Sequence, residues 1–416
     1  MSFFRRAGAL IARFFTSAAD PAAAANEFQL YSKDDAGVSQ LYGRSDDGTI
    51  HQLTPIATPA SPTPANNLLR NSGFWFAQRQ NPAALTTYTG SAAVRVFTAD
   101  GWAITNENAS AQYIRTDTSG APEANLASRY YGRFTKITST GKIQITQCVE
   151  SADSQNVRGR TVRVQIKMRG LVAASVLWNV GLVRYTGIAD LGSMGAFISA
   201  QGANGTDPTL AAVCAYLTPN GAFPADGGVI VGNKIQATIT NDPTWVRVGG
   251  CFDVPATADN LFVMIWSDSG VVATNGVALG EANLVDSAEI QNWEPLPVPL
   301  ELTRTQRFYS KSFDIDTVPA TGAANGYVIG WVNSSGAVAG QRIPIRFPVT
   351  MRKPPTMNTY GIGTSNLVLN FPAATSATAT TTAAVSSNGV RVDFTGLAGW
   401  TVGEAVGIHF TADAEL

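Results

Sequence analysis

TVRVQIKMR, residues Thr161–Arg169, alternates without a break. Val162, Val164, Ile166 and Met168 fall on one side, and Thr161, Arg163, Gln165, Lys167 and Arg169 on the other. A period of two is that of a strand with one face on a core, the pattern of an antiparallel sheet. Its neighbours read the same way. TWVRVGGCFD (Thr244–Asp253) alternates up to Gly249-Gly250, where a bulge is expected. NLFVMIW (Asn260–Trp266) is continuously apolar, as in a strand buried on both faces, and EIQNW (Glu289–Trp293) follows as a further strand. No long helical period appears between Leu68 and Glu294. The expectation is a jelly-roll β-sandwich over residues 67–297.

Composition agrees with an all-β chain. Charged residues make up 14% of the 416, against roughly 25% in an average soluble protein. The shortfall is in the Glu and Lys that long helices favour. A net charge of −1 gives no basic field for nucleic acid. The cysteines Cys148, Cys214 and Cys251 are isolated, which suits buried thiols rather than a disulfide framework or a zinc site. His51 and His409 are the only histidines, so a His-based triad or metal site has little to draw on. No run of about 20 apolar residues occurs, so no membrane-spanning helix or stable membrane insertion is expected.

Residues 1–25 begin MSFFRRAGALIARFF. At 100° per residue, Phe3, Ala7, Leu10, Ile11 and Phe14 share a face, Phe4 and Phe15 edge it, and Arg5, Arg6 and Arg13 lie opposite. The pattern predicts a short amphipathic helix needing an apolar partner. A signal peptide and a membrane-surface helix are the alternatives. Residues 26–56 hold two look-alike halves, LYSKDDAG (Leu30–Gly37) and LYGRSDDG (Leu41–Gly48). Their Asp-Gly and Asp-Ala-Gly turns predict a three-stranded meander. Such a sheet is marginal alone and needs another surface to cover it. The proline-rich stretch at residues 57–66 reads as a semi-rigid linker. A second proline cluster at 295, 297 and 299 precedes about two helical turns over Leu300–Phe308. Residues 298–416 then read as a small β-sandwich knob with strands in QRIPIRFPVTM, NLVLNF, GVRVDF and AVGIHFTADAEL. The low-complexity span Ala373–Ser387 reads as an edge strand or exposed loop.

One ordered set of motifs carries a resemblance: NLLRNSGFWFAQRQ (Asn67–Gln80), ADGWAI (Ala99–Ile104), RGRTVRVQIKMRG (Arg158–Gly170), TWVRVGGCFDVP (Thr244–Pro255), AEIQNWEP (Ala288–Pro295) and RTQRFYSKSF (Arg304–Phe313). In this order they resemble tail-fibre and appendage proteins of tailed bacteriophages, whose middle segment is similar to a carbohydrate-binding-module jelly roll. LYGRSDDGTIHQLTP is similar to their N-terminal attachment segments. The resemblance implies a homotrimer in the virion. Phe3, Phe4, Leu10, Ile11, Phe14 and Phe15 would then anchor it to head, neck or tail proteins through residues 1–55. Tyr31, Leu41, Tyr42, Ile50 and Leu53 would form the trimer contacts.

No GxSxG, HExxH, P-loop, Rossmann or calcium-loop pattern occurs in a fitting context, so neither cofactor nor metal is expected. Glycoside hydrolysis needs two carboxylates across a sugar, and the sequence pairs none of its sparse acids. No repeat period of a depolymerising β-helix is present. The chain reads as a non-enzymatic virion fibre that contacts host-surface glycan. A head- or neck-decorating fibre is the alternative, and a glycan depolymerase the third reading. Sugar contact needs an aromatic plane and a few hydrogen-bonding groups. Tyr130 and Tyr131, adjacent so that one faces out of a strand, and Tyr360 and Trp400 in the knob are the candidates.

Overall fold

The computed structural model describes four strands within residues 11–52 and, apart from short internal segments, residues 67–415. The chain divides into two compact units, Met1–Ala65 and Asn66–Leu416.

In the first unit the strands Ile11–Thr16, Glu27–Asp35, Val38–Arg44 and Ile50–Gln52 form one sheet in chain order. The last three are the expected meander. Tyr31 stands opposite Tyr42, so the two look-alike halves pair with each other. The helix expected over residues 3–15 is corrected in its second half. Ile11, Phe14 and Phe15 belong to a strand parallel to Glu27–Asp35, with Phe15 opposite Tyr31. Ile, Phe and Thr favour strands, and an adjacent strand satisfies their backbone groups. Phe3, Phe4, Leu10 and Leu53 lie outside the described residues, as does the linker.

The second unit is a sandwich of two antiparallel sheets joined to a smaller one. The first sheet runs Val229–Val231, Lys234–Ile239, Val176–Tyr185, Asn260–Ser267, Ile143–Val149, Ala103–Asn106 and Val96–Phe97, with Cys214–Tyr216 also paired to Val176–Tyr185. The second runs Pro219–Ala222, Val246–Asp253, Thr161–Gly170, Gly276–Val285, Tyr130–Lys136, Ala109–Asp117 and Thr86–Gly90. Many consecutive strands sit in opposite sheets: 143–149, 161–170 and 176–185, then 234–239, 246–253, 260–267 and 276–285. This crossing at the sandwich ends is the jelly-roll arrangement expected from sequence.

Val162, Val164, Ile166 and Met168 are all fully buried, facing Val180, Leu182, Val263 and Ile265 in one core. At about 25 cal/mol per Å², such apolar burial dominates the stability of the sandwich. The other face of the 161–170 strand is covered too, since Arg163 and Gln165 are also buried. The bulge is not at Gly249-Gly250, which stay in register with Gln165 and Val164. There glycine is required by space, because a Cβ on Gly249 would collide with the Val164 carbonyl. The bulge lies on the opposite neighbour, at Glu281-Ala282, where Glu281 has φ +49°. Glu281 accepts from the Ser128 N–H at 3.0 Å and pairs with Lys167 at 2.7 Å. Trp293 lies outside any strand and donates to Ser72 Oγ at 3.1 Å.

The helix Val298–Gln306 leads into the C-terminal sheets. Ala405–Asp413 is the central strand of one, paired with Tyr309–Lys311, Val328–Trp331, Thr356–Tyr360 and Leu367–Asn370. Gln341–Arg346, Gly389–Phe394 and Thr381–Ala383 form the other. Ile343, Val392, Val406, Ile408 and Phe410 fill the core between them. This small sandwich is tied to the jelly roll within the same compact unit. Arg70 pairs with Glu415 at 2.6 Å and stacks over Phe308. Arg79 pairs with Asp413 at 3.1 Å and lies over Tyr309. Burial would lower the Arg79 pKa, yet Asp413, Glu415 and Asp100 together hold it raised. Breaking one partner here leaves a buried charge alone.

Candidate functional site

Strand register assembles a polar row across the outer face of the first sheet. Gln236 stands opposite Asn179, Asn179 opposite Trp266, Trp266 opposite Gln144, and Gln144 opposite Thr105. Val229 extends the row at the sheet edge. In a strand alternate residues share a face, so core-facing Ile235, Val180, Ile265 and Ile145 force these neighbours outward.

The row is cross-linked. Gln236 Nε2 donates to Asn179 Oδ1 at 3.0 Å and to Asp268 Oδ1 at 3.2 Å, and Asn179 Nδ2 donates to Asp268 Oδ1 at 3.3 Å. Lys234 Nζ reaches Asp207 at 2.6 Å and Asp268 at 3.4 Å. Tyr216 lies 5.7 Å from Trp266 ring to ring, and its hydroxyl donates to the Pro208 carbonyl at 2.9 Å. Burial, with Asp207 nearby, pushes the Tyr216 phenol far above the ordinary range, so it is a neutral donor.

The chain's own segment from Phe197 to Leu210 roofs the inner end. Phe197 stacks on Phe262 at 4.7 Å. Lys142 Nζ donates to the Ala203 and Thr206 carbonyls at 2.6 and 2.7 Å, and Gln144 donates to Gln201. Burial lowers the Lys142 pKa, and Asp268, Glu107 and Asp207 act against it. Beneath the roof Trp266, Asn179 and Gln144 are fully buried. Trp266 Nε1, Gln144 Oε1, Thr146 Oγ1 and Gln201 Nε2 have no hydrogen-bond partner among the described residues. The open end is formed by half-buried Gln236, Tyr216 and Asp207, beside exposed Val229 and Val231. Aromatic ring, amides, ammonium and carboxylates thus converge at one sheet edge. They can bond hydroxyls as both donors and acceptors.

The residues expected from sequence lie elsewhere and apart from one another. Tyr130 is half-buried at an end of the sandwich, edge-on to Trp75 at 5.2 Å, with the Arg115 guanidinium 4.5 Å over its ring. Tyr131 is 4% exposed, packs on Trp245 and donates to Glu123 at 3.2 Å. Trp400 is 3% exposed against Phe394 in the knob core. Tyr131 is thus the inward member of the adjacent pair and Tyr130 the outward one, whereas Trp400 corrects the expected position at the knob's tip, because its ring fills the core of the small sandwich. Tyr360 is half-buried, edge-on to Phe313 at 5.6 Å. The exposed tryptophan of the C-terminal sheet is Trp331, at 60%, beside Ile329 at 60%. The alternation in VIGW, with Val328 and Gly330 turned to the core, was the available signal. The polar row left a fainter one: Asn179, Lys234 and Gln236 are polar positions in otherwise apolar strands. Tyr31, Leu41, Tyr42 and Ile50 occupy strands of the N-terminal sheet.

No protein-family profile matches the chain, and no curated protein does. Solved structures similar to it include the TmCBM61 module in complex with β-1,4-galactotriose, 9% identical over 54% of this chain and 100% of that one, with a TM-score of 0.28. A family 22 carbohydrate-binding module of Clostridium thermocellum Xyn10B is 12% identical over 53% of this chain and 98% of that one, with a TM-score of 0.27. The enzymatically active domain of bacteriophage CBA120 tailspike protein 4 is 13% identical over 53% of this chain but 21% of that one, with a TM-score of 0.26. The β-sandwich assignment stands on the sheet order given above.

Proposed function

We propose that this chain is a glycan-binding fibre or appendage protein of a tailed-phage virion, acting without turnover. The observation that carries the binding is the Gln236–Asn179–Trp266 row with its open end at Gln236, Tyr216 and Asp207. A saccharide needs bidentate hydroxyl partners beside an aromatic or apolar surface, and the open end supplies both. Asp207 and Asp268 are both bonded to Lys234, an arrangement that holds hydroxyls rather than delivers a proton. The virion setting rests on the motif resemblance. In this reading residues 1–55 attach the chain to head, neck or tail proteins, and the N-terminal sheet is covered by two further copies.

The test is retention of the full chain on an array of neutral oligosaccharides. A retained sugar should bind Gln236→Ala about tenfold more weakly, as loss of one good hydrogen-bonding partner predicts. Reducing sugar released during incubation would favour the depolymerase reading instead. No retention of a folded chain would favour a decorating role.

A further inference from the structure

A second site lies in the small C-terminal sandwich. Residues 345–350 and 388–391, with Ala384 and Ser386, border an open cleft of about 670 Å³, within the range of ligand sites. Arg346 and Arg391 line it together with Thr350, Ser386 and Asn388. The strand pattern puts them there. In QRIPIR the core takes Ile343 and Ile345, so Arg342, Pro344 and Arg346 face out. In GVRVDF it takes Val390, Val392 and Phe394, so Arg391 and Asp393 share that outer face. Register sets Arg342 opposite Asp393 and Pro344 opposite Arg391.

The charges do not balance. Arg391 binds Asp393 through Nε and Nη2, both at 2.9 Å, and Arg342 reaches the same carboxylate at 3.9 Å. Arg346 has no ion-pair partner among the described residues. Two guanidinium groups thus share one carboxylate and Arg346 adds a third positive charge, in a chain whose overall charge is −1. A guanidinium fork is matched to carboxylate or phosphate. Around it stand a hydroxyl–amide pair, with Thr350 Oγ1 donating to Asn388 Oδ1 at 2.8 Å, and the Ser386 hydroxyl. Phe347, the aromatic residue of the cleft wall, is only 8% exposed, so no ring is offered for a nucleobase to stack on.

We propose that this cleft binds an acidic glycan, with Arg346 holding its uronate or phosphate group and Thr350, Ser386 and Asn388 its hydroxyls. The inference deepens the glycan-binding reading but uses a different surface. Titration of the full chain with trigalacturonate, its methyl ester and inorganic phosphate tests it. Trigalacturonate should bind, at least tenfold more weakly to Arg346→Gln and more weakly as salt is raised. The methyl ester should not bind. Phosphate that competes with trigalacturonate would assign the subsite to a phosphorylated sugar, and phosphate that does not would assign it to a uronate. Arg346 is exposed, so its variant should keep the wild-type melting temperature. Gln236→Ala should bind trigalacturonate normally, which separates this site from the jelly-roll row. No binding of trigalacturonate or phosphate, equal binding of the methyl ester, or unchanged affinity in Arg346→Gln would overturn the proposal.

Discussion

The outer faces of two sheets in this chain are finished in opposite ways. On the jelly roll, Trp266 is fully buried, roofed by the chain's own 197–210 segment and surrounded by amides. On the C-terminal sheet, Trp331 stands 60% exposed with Ile329 across from Gly407. On the same outer face an aromatic ladder runs Phe371, Tyr327, His409, Phe313, with His409 3.9 Å from Tyr327 and 4.0 Å from Phe313. Both faces rest on strands with a well-filled core behind them. The difference lies in the connecting segments. A long excursion after Tyr185 returns to cover the first sheet, and none of the described residues covers Trp331. An aromatic side chain's role is therefore set by the connections around its strand more than by the strand itself.

The largest contrast is in stability. Trp266→Ala removes a fully buried ring and should cost about 3–5 kcal/mol in urea unfolding. A cost under about 1 kcal/mol would mean that the roof is not packed as described. Next in size is sugar affinity. A neutral oligosaccharide bound at the row should lose about tenfold, roughly 1.4 kcal/mol, in Gln236→Ala and nothing in Trp331→Ala. The reverse would move the site to the open face.

Acid should separate the two faces more gently. Burial pulls the His409 imidazole below its ordinary value of 6.5, while the Ala323 carbonyl and Asp314 act the other way. Its Nε2–H faces the Ala323 carbonyl at 3.2 Å, so Nδ1 accepts from the Ser312 hydroxyl at 2.9 Å, and Ser312 Oγ in turn accepts from the Phe410 N–H. The unfolded chain therefore takes up the proton first. His409's stabilisation is complete above about pH 6.5 and is lost as pH falls from there toward the folded-state pKa. In His409→Gln that part of the slope should vanish, and an unchanged slope would assign it to other groups. The smallest effect belongs to Trp331→Ala, which should change stability by under about 0.5 kcal/mol because the ring is mostly in water already.

Much of the fold was legible because strand periodicity is local. TVRVQIKMR announced its inner face, NLFVMIW its burial on both sides, and QRIPIRFPVTM and GVRVDF their strands. At Ile11–Thr16, a short run of Ile and Phe fits either period, and a partner strand decided between them. The candidate site was mostly illegible. Its row draws on Thr105, Gln144, Asn179, Gln236 and Trp266, from five strands far apart in the chain, and only register brings them together. Trp400 misled for the related reason that flanking loops do not reveal burial.

Hydrogen–deuterium exchange of the full chain, with and without a saturating neutral oligosaccharide that it retains, would locate the bound sugar on one of the two faces. Binding at the jelly-roll row should give new protection at residues 214–216, 234–239 and 267–268, with 328–331 and 405–408 unchanged. Protection confined to the C-terminal sheet would contradict it.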